Sequence, residues 1–480
     1  MNGRDRIILF PFMAQGHLIP FLALATHLEH RTGYTITIVN TPLNIKTLKS
    51  SLPPTTTIHL VSLPFNGSDH SLPPNSESTD ALPHHLLPRL YHSSQTLQPS
   101  FENLISTLTN QDGHPPLCII SDMFLGWTVQ IANRLGIFHS IFITGGAHGA
   151  SIDFTLYLDP NSQPDSAEFQ LPGFPDSFRV HRSQLKIADD SSDSDSMFRF
   201  IHLQFNLCLS SDGFLFNTVE EMEKIGLEYF RKKTNRPVWA IGLLKNEGIA
   251  RKAIDVSAGR CISWLDFHRP NSVLYVSFGS QNTISVSQMM ELAMGLESSG
   301  TKFIWVVRAP HGFDVDGEFR TEEWLPEGFE ERITERKQGM LVKRWAPQLE
   351  ILSHGSTGGF LSHCGWNSTV ESLRRGVPVI GWPMSAEQFY NAKMMEELGV
   401  CVVGRGEGME IGRSEVVRVI EMVMGGKEKG EEMKRKGLKV KEMIEEAVRE
   451  DGGSLGSSVK ALGDFVMAAV SSKKMIGGDF

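Results

Sequence analysis

Two continuous apolar runs, each leading through a loop into a helix-forming segment, constrain this chain more than any other feature. Ile7-Ile8-Leu9-Phe10-Pro11-Phe12 opens the first series, and Ser272-Val273-Leu274-Tyr275-Val276-Ser277-Phe278-Gly279 opens the second. A strand covered on both faces shows no polar alternation, so runs of this kind belong to parallel sheets with helices on either side. After the first run, Met13–Leu18 reads as a loop, and Pro20 stands where a helix can start, continued by Phe21–Leu28. Strands are predicted at 35–40, 117–121, 140–144 and 213–217, with helices over 127–135 and 219–230. The second half continues with helix 288–298, strands 303–307 and 358–362, and a charged amphipathic helix at 427–449. Leu455, Val459, Leu462, Val466 and Val470 trace one apolar face of a last helix. Repeated β-α-β order predicts a doubly wound sheet in each half, with ligands at the carboxyl ends of the strands. No internal sequence repeat relates the halves, so their likeness is architectural.

Length agrees with two such sheets, since 480 residues exceed one ordinary core. The boundaries read as a first domain at 1–242, a linker at 243–258 and a second domain at 259–454, with the helix 455–470 closing the chain. Segments 66–80, 159–175 and 189–196 are polar and read as surface loops. A net charge of −9 argues against nucleic-acid or anionic-membrane partners. No window approaches ~18 consecutive apolar residues, so no membrane span is expected. Arg4-Asp5-Arg6 runs into the first strand without a secretory apolar region, and the five cysteines (118, 208, 261, 364, 401) are odd in number and scattered. Reduced thiols, a cytoplasmic location and a monomer are the expectation; Asn66-Gly67-Ser68 would then be an unused glycosylation acceptor.

Chemistry concentrates in the 44 residues from Trp345 to Gln388. Gly358–Ser362 reads as a buried strand, His363-Cys364-Gly365-Trp366 as a tight turn, and Asn367–Leu373 as the start of a helix. A helix entered from a glycine-bearing turn presents backbone N–H groups and the positive end of its dipole, which suits a diphosphate. His363, Ser368 and Thr369 stand beside that point and can add donors. Trp345 offers a flat platform for a base, or is a core tryptophan. Glu371 is open to two readings, because Ser368-x-x-Glu371 is also a capping box.

The stretch resembles the signature box of the plant secondary-product glycosyltransferases, the UDP-dependent family 1 enzymes. WAPQ at 345–348, HCGWNS at 363–368, Glu371, GVP at 376–378, WP at 382–383 and the closing Glu387-Gln388 carry the resemblance. It implies the GT-B fold, two doubly wound Rossmann-like domains facing each other across a cleft. The first domain would take the acceptor, the second a UDP-sugar, and the last helix would return to brace the first. By resemblance, uracil stacks on Trp345, Ala346 bonds it through the backbone, and Gln348 and Glu371 hold the ribose. Trp366, Glu387 and Gln388 correspond to the residues that hold the sugar hydroxyls, and Asn367 falls among the donor-binding positions of the same box. The closing glutamine resembles glucose-preferring members. Ser277 and Ser280, in YVSFGS, correspond to the strand-to-loop residues near the β-phosphate, and Thr144 to a residue touching the sugar.

His17 has the composition of a general base, an imidazole of unperturbed pKa about 6.5. Taken alone it is one of 17 histidines, 13 of them in the first 240 residues. The family places a histidine after a glycine just beyond the first strand as the base, and Gly16-His17 resembles that pair. Asp122 reads alone as a cap or turn former; the resemblance makes it the carboxylate that holds the far nitrogen of the base. The function implied is inverting, UDP-glucose-dependent O-glucosyl transfer to a hydroxyl of a hydrophobic small molecule such as a flavonoid, other phenolic or terpenoid. The alternatives are another UDP-sugar (galactose, rhamnose, xylose) or a non-catalytic nucleotide-sugar-binding protein. A nucleotide-dependent oxidoreductase would carry G-x-G-x-x-G after the first strand, and Met13–Leu18 does not. Loops at 66–95, 145–160 and 175–200, with Phe65, Leu86, Leu87, Phe154 and Phe198, are expected to line the acceptor pocket. No metal and no cofactor beyond the co-substrate are expected. The pairs Asp193/Asp195 and Asp314/Asp316 lie in loop-like stretches, and the helix N-terminus with His363 would neutralise the leaving UDP. Gly404–Gly408 lacks a following helix and reads as a turn.

Overall fold

The computed structural model describes residues 5–159, 168–174, 178–181, 192–244, 256–280, 282–313, 317–405, 410–451 and 453–477. The chain divides into two compact units, residues 1–252 with 446–480, and residues 253–445.

In the first unit, strands β1 (Arg6–Phe10), β2 (Thr35–Asn40), β3 (His59–Ser62), β4 (Cys118–Asp122) and β5 (Phe138–Ile143) belong to one sheet. A two-stranded antiparallel ribbon, β6 (Glu168–Gln170) and β7 (Arg179–His181), stands apart from it. Strands β8 (Gly213–Phe216) and β9 (Val238–Ala240) complete the sheet, in the order β3-β2-β1-β4-β5-β8-β9. Every pairing in it is parallel. The second unit has six strands: β10 (Val273–Ser277), β11 (Lys302–Val307), β12 (Gly339–Lys343), β13 (Thr357–Ser362), β14 (Val379–Gly381) and β15 (Cys401–Val403). Their order is β12-β11-β10-β13-β14-β15, again all parallel. Both sheets therefore reverse direction of winding between their first and fourth strands, and the edge beyond those two strands is where such folds place ligands. The two doubly wound units are the fold that the resemblance implies.

The apolar runs are buried as a parallel sheet requires: Ile7 to Phe10 and Val273 to Val276 are each no more than 1% exposed. Two apolar layers cover the first sheet. One includes Phe21, Leu24 and Leu28 of the helix Gln15–Thr32, and the other includes Phe101 and Ile105 of the helix Gln98–Asp112.

Four expectations are corrected. The first helix begins at Gln15 rather than near Pro20, so His17 lies in its first turn and not in a loop. Pro20 is accommodated six residues in, where its ring fixes a helical φ at the loss of one N–H donor. Segment 66–80 is more than surface: Ser76, Glu77, Ser78 and Thr79 are buried, and Glu77 Oε2 accepts from Leu43 N at 2.8 Å at the start of the helix Pro42–Ser51. Residues 192–196 of the polar run 189–196 are helical backbone, the opening of helix Ser192–Cys208, as suits Ser and Asp in a first turn. The last helix, Ser457–Gly477, buries Leu462, Phe465 and Ala469, flanked by half-buried Val466 and Val470, while Leu455 precedes it and is 48% exposed. Phe465 meets Trp239 and Phe138 in the first unit's sheet at centroid distances of 5.4 and 6.1 Å. Most of the linker, 245–255, lies outside the described residues, as do 406–409, Asp314 to Asp316 and the side chains of Asp193 and Asp195.

Candidate active site

The switch point of the first sheet brings three of the sequence-selected residues together. β1 and β4 pair with Phe10 beside Ser121, so the turns leaving both strands are neighbours. From the β1 side, the helix Gln15–Thr32 carries His17; from the β4 side, Asp122 ends its strand with a side chain 1% exposed. His17 Nδ1 and Asp122 Oδ2 are 2.6 Å apart. Thr144, just past β5, places its hydroxyl 3.3 Å from the same nitrogen. Asp122 uses its two oxygens separately: Oδ2 meets His17, and Oδ1 accepts from Phe124 N at 3.0 Å and caps the short turn Met123–Leu125. A carboxylate accepts only, so Nδ1 carries the proton and Nε2 is the basic nitrogen of a neutral His17.

The aromatic surroundings of His17 differ from those expected. Phe12 and Phe124 lie at 5.9 and 5.5 Å from its ring, and Tyr91 packs on both, at 4.4 and 5.0 Å. Phe154, expected to line the acceptor pocket, is instead core: it is wholly buried and stacks on Phe205 at 4.1 Å. Phe65 stacks on His70 and Phe198 tilts against Tyr157, while Leu86 and Leu87 are half-buried. The signal missed in the sequence was position: Phe12 and Phe124 each stand two residues beyond the strand ends that define the site.

A second histidine–carboxylate pair lies nearby in sequence, at the start of the helix Ala147–Leu158 that follows Thr144-Gly145-Gly146. Glu223 is wholly buried and accepts from Ala147 N (2.9 Å), His148 N (3.0 Å) and His148 Nδ1 (3.0 Å). Burial opposes its ionisation, but the hydrogen bonds and charge of His148 outweigh that and hold the carboxyl below its usual range. The cap that this helix lacks locally is thus supplied from another helix, Glu220–Thr234, which breaks helical geometry at Glu223 to deliver it.

In the second unit, β10 and β13 end side by side, with Ser277 opposite Ser362. His363 follows at once, buried, and its Nδ1 has no hydrogen-bond partner among the described residues. A Cβ on Gly279 would lie 2.7 Å from His363 Cε1, and one on Gly365 would lie 2.4 Å from its Nε2. The imidazole therefore fits only because both neighbours are glycine. Gly365 also precedes the helix Trp366–Leu373 and brings no side-chain cap to it, which leaves the N-terminal end to an anion. Burial lowers the His363 pKa to about 4. This amends one expectation: near neutral pH His363 offers a hydrogen bond without charge, and the positive field comes from the helix end.

The remaining residues singled out in the sequence lie around this turn and on the elements beside it. Gln348, which opens the helix Gln348–Ser353, donates through Nε2 to Glu371 Oε2 (2.8 Å) and Ser368 Oγ (3.2 Å), so these three form one cluster. Ser368 is the third residue of its helix rather than the residue before it, so the capping box does not form. Trp345 is half-buried between β12 and that first helix, and Ala346 is buried beside it. Trp366 is buried and Asn367 half-buried at the helix opening. Ser277 Oγ accepts from Gly279 N at 3.4 Å, whereas Ser280 is exposed and accepts from Arg308 at its carbonyl. Glu387 precedes the helix Gln388–Glu397. The carboxamide oxygen of Gln388 turns back to accept from Met384 N (3.0 Å) and Ser385 N (3.1 Å), and its nitrogen donates to Ser385 Oγ (3.4 Å). Thr369 donates to the Cys364 carbonyl. Among the described residues no cluster of three or more His, Cys, Asp or Glu is arranged to hold a metal, and no helix is long and apolar enough to cross a membrane.

Two family profiles match the chain, "Glycosyltransferase, N-terminal domain" over residues 6–159 and "UDP-glucoronosyl and UDP-glucosyl transferase" over residues 265–437. UDP-glycosyltransferase 92A1 of Arabidopsis thaliana is 43% identical over 482 residues, covering 98% of each chain. Crocetin glucosyltransferase 3 of Crocus sativus is 44% identical over 440 residues, covering 88% of this chain and 91% of its own. Among solved structures, UGT2 of Phytolacca americana, complexed with UDP-2fluoro-glucose and pterostilbene, superposes with a TM-score of 0.79 at 30% identity, covering 97% of this chain and 99% of that one.

Proposed function

The chain belongs to the plant family 1 UDP-glycosyltransferases, enzymes of small-molecule glycosylation, and from that premise we propose that it is an inverting UDP-glucose-dependent O-glucosyltransferase. Its acceptor is a hydroxyl of a hydrophobic small molecule, such as a flavonoid, other phenolic or terpenoid. The observation that carries this reading is the 2.6 Å contact between His17 Nδ1 and Asp122 Oδ2 at the ligand edge of the first sheet.

His17 Nε2 takes the proton of the acceptor hydroxyl as its oxygen attacks the anomeric carbon of glucose. The C1–O bond to the β-phosphate breaks on the opposite face, and the electron pair leaves with UDP. One displacement inverts the centre, so an α-linked donor gives a β-glucoside. Asp122 fixes the Nδ1–H tautomer and stabilises the imidazolium formed, with Thr144 as a second contact at that nitrogen. Half-buried Phe124 and Tyr91, backed by the buried Phe12, supply an apolar wall for an aromatic or terpenoid acceptor. In the second unit, Trp345 and Ala346 hold uracil, Gln348 and Glu371 the ribose, and Ser277, Ser280, Asn367, Ser368 and His363 the diphosphate. Trp366, Glu387 and Gln388 hold glucose. The chemistry needs no metal, since the helix end and the His363 hydrogen bond receive the charge of the leaving diphosphate.

The test is a UDP-release screen of purified protein against phenolic and terpenoid alcohols, with UDP-glucose, UDP-galactose, UDP-xylose and UDP-rhamnose compared. UDP release that is fastest with UDP-glucose, with a β-linked product by proton NMR coupling, is the expected result. An α-linked product, or a preference for another UDP-sugar, would overturn the corresponding part of the reading.

A further inference from the structure

Tyr275 lies in the middle of β10, and its side chain is 1% exposed. Its ring stacks on Phe360, its register partner on β13, at 5.0 Å and 25°. A buried tyrosine in such a place is ordinary core packing except for its hydroxyl, which a phenylalanine would lack. That hydroxyl donates to Gln348 Oε1 at 3.3 Å. The opposite end of the same carboxamide donates to Glu371 Oε2 and Ser368 Oγ. A carboxamide has one accepting and one donating end. Here the accepting end meets a phenol, and the donating end meets an accept-only carboxylate. Turning the amide over would set its oxygen against Glu371.

We propose that Tyr275 is a positioning residue for recognition of the donor's ribose, acting through Gln348: its hydroxyl locks the carboxamide so that Glu371 is held in the orientation that binds the ribose diol. This rests on the reading above that Gln348 and Glu371 hold the ribose. Glu371 is 3% exposed, and a buried carboxylate is specific only if its direction is fixed. One of its oxygens accepts from Gln348 Nε2 at 2.8 Å, so that contact helps set the direction in which the carboxylate meets a vicinal diol. Without the phenol, Gln348 loses the donor at its oxygen, and the carboxamide is free to leave Glu371. Sequence spacing hides this relation, because Tyr275 and Gln348 are 73 positions apart.

The experiment compares the affinities of UDP and 2′,3′-dideoxy-UDP by calorimetry in four proteins: the unaltered chain, Tyr275→Phe, Gln348→Ala and the double variant. The unaltered protein should prefer UDP. Tyr275→Phe should cut that preference roughly three- to tenfold, the worth of one net hydrogen bond, with the affinity for the dideoxy nucleotide unchanged. In the Gln348→Ala background the tyrosine change should add nothing, since it acts through the residue already removed. Equal weakening of both nucleotides would mean a packing role only, and an additive double variant would mean a route that bypasses Gln348; either overturns the proposal. If the unaltered protein binds UDP but shows no preference for it over the dideoxy analogue, the ribose reading itself fails, and the positioning role falls with it.

Discussion

At the scale of single residues, the phosphate-side turn is built on what is missing. The imidazole of His363 occupies space that side chains at 279 and 365 would fill. At Gly365 the backbone is φ −61°, ψ 144°, a conformation any residue adopts, so only contact argues for glycine there. Gly365→Ala should therefore push the imidazole from its place and raise the KM for the UDP-sugar about tenfold, consistent with the cost of overpacking a filled site; an unchanged KM would show that the cradle is looser than its distances. The residue types at 363–368 were legible in the sequence, but the cradle was not, because Gly279 and Gly365 meet His363 from two different strand ends. The double service of Asp122, one oxygen to a turn and one to His17, was hidden for the same reason: a sequence offers the cap and the charge partner as rivals. Glu371 was open between cap and ligand until the helix start at Trp366 removed the first option.

At the scale of elements, strands were the most readable, because β1, β4, β10 and β13 are covered on both faces and show as apolar runs. Helix limits were less so. Pro20 suggests a start, yet the helix tolerates it and begins at Gln15, which moves His17 from a loop to a helix's first turn. That difference bears on the proposed base, since an imidazole on a helix is held by its backbone as well as by Asp122. The face of the last helix was largely legible, since Leu462, Val466 and Val470 pack on the core as expected; the buried line adds Phe465 and Ala469, and Leu455 lies before the helix and exposed. Phe465→Ala should cost about 3–5 kcal/mol, the range for a large aromatic core deletion, seen as a drop in the first unit's melting transition. Met467→Ala, at a residue 63% exposed, should change it by less than about 0.5 kcal/mol. Comparable losses at both positions would contradict the face described.

At the scale of the whole molecule, two sheets wound alike over six strands, the first with a seventh at its edge, carry in the proposed mechanism two different halves of one reaction. The β-α alternation predicted a doubly wound sheet in each half, and the strand orders supply a switch point in both, the edge where such folds place ligands. Which edge does which chemistry was not predictable from it, because alternation is the same in both; the residues decide it, with the His17–Asp122 pair in the first unit and the His363 turn with the Gln348–Glu371 cluster in the second. The aromatic cluster beside His17 was least legible, since Phe12, Tyr91 and Phe124 come from three separate segments. The division of labour makes a direct demand: removing the base must leave donor binding intact. The most telling measurement is the turnover and UDP affinity of His17→Ala side by side. The account predicts a fall in turnover of about 10²–10⁴-fold, the usual contribution of a general base, with UDP affinity within about twofold of the unaltered protein. Turnover retained in His17→Ala, or lost only in step with UDP binding, would contradict it.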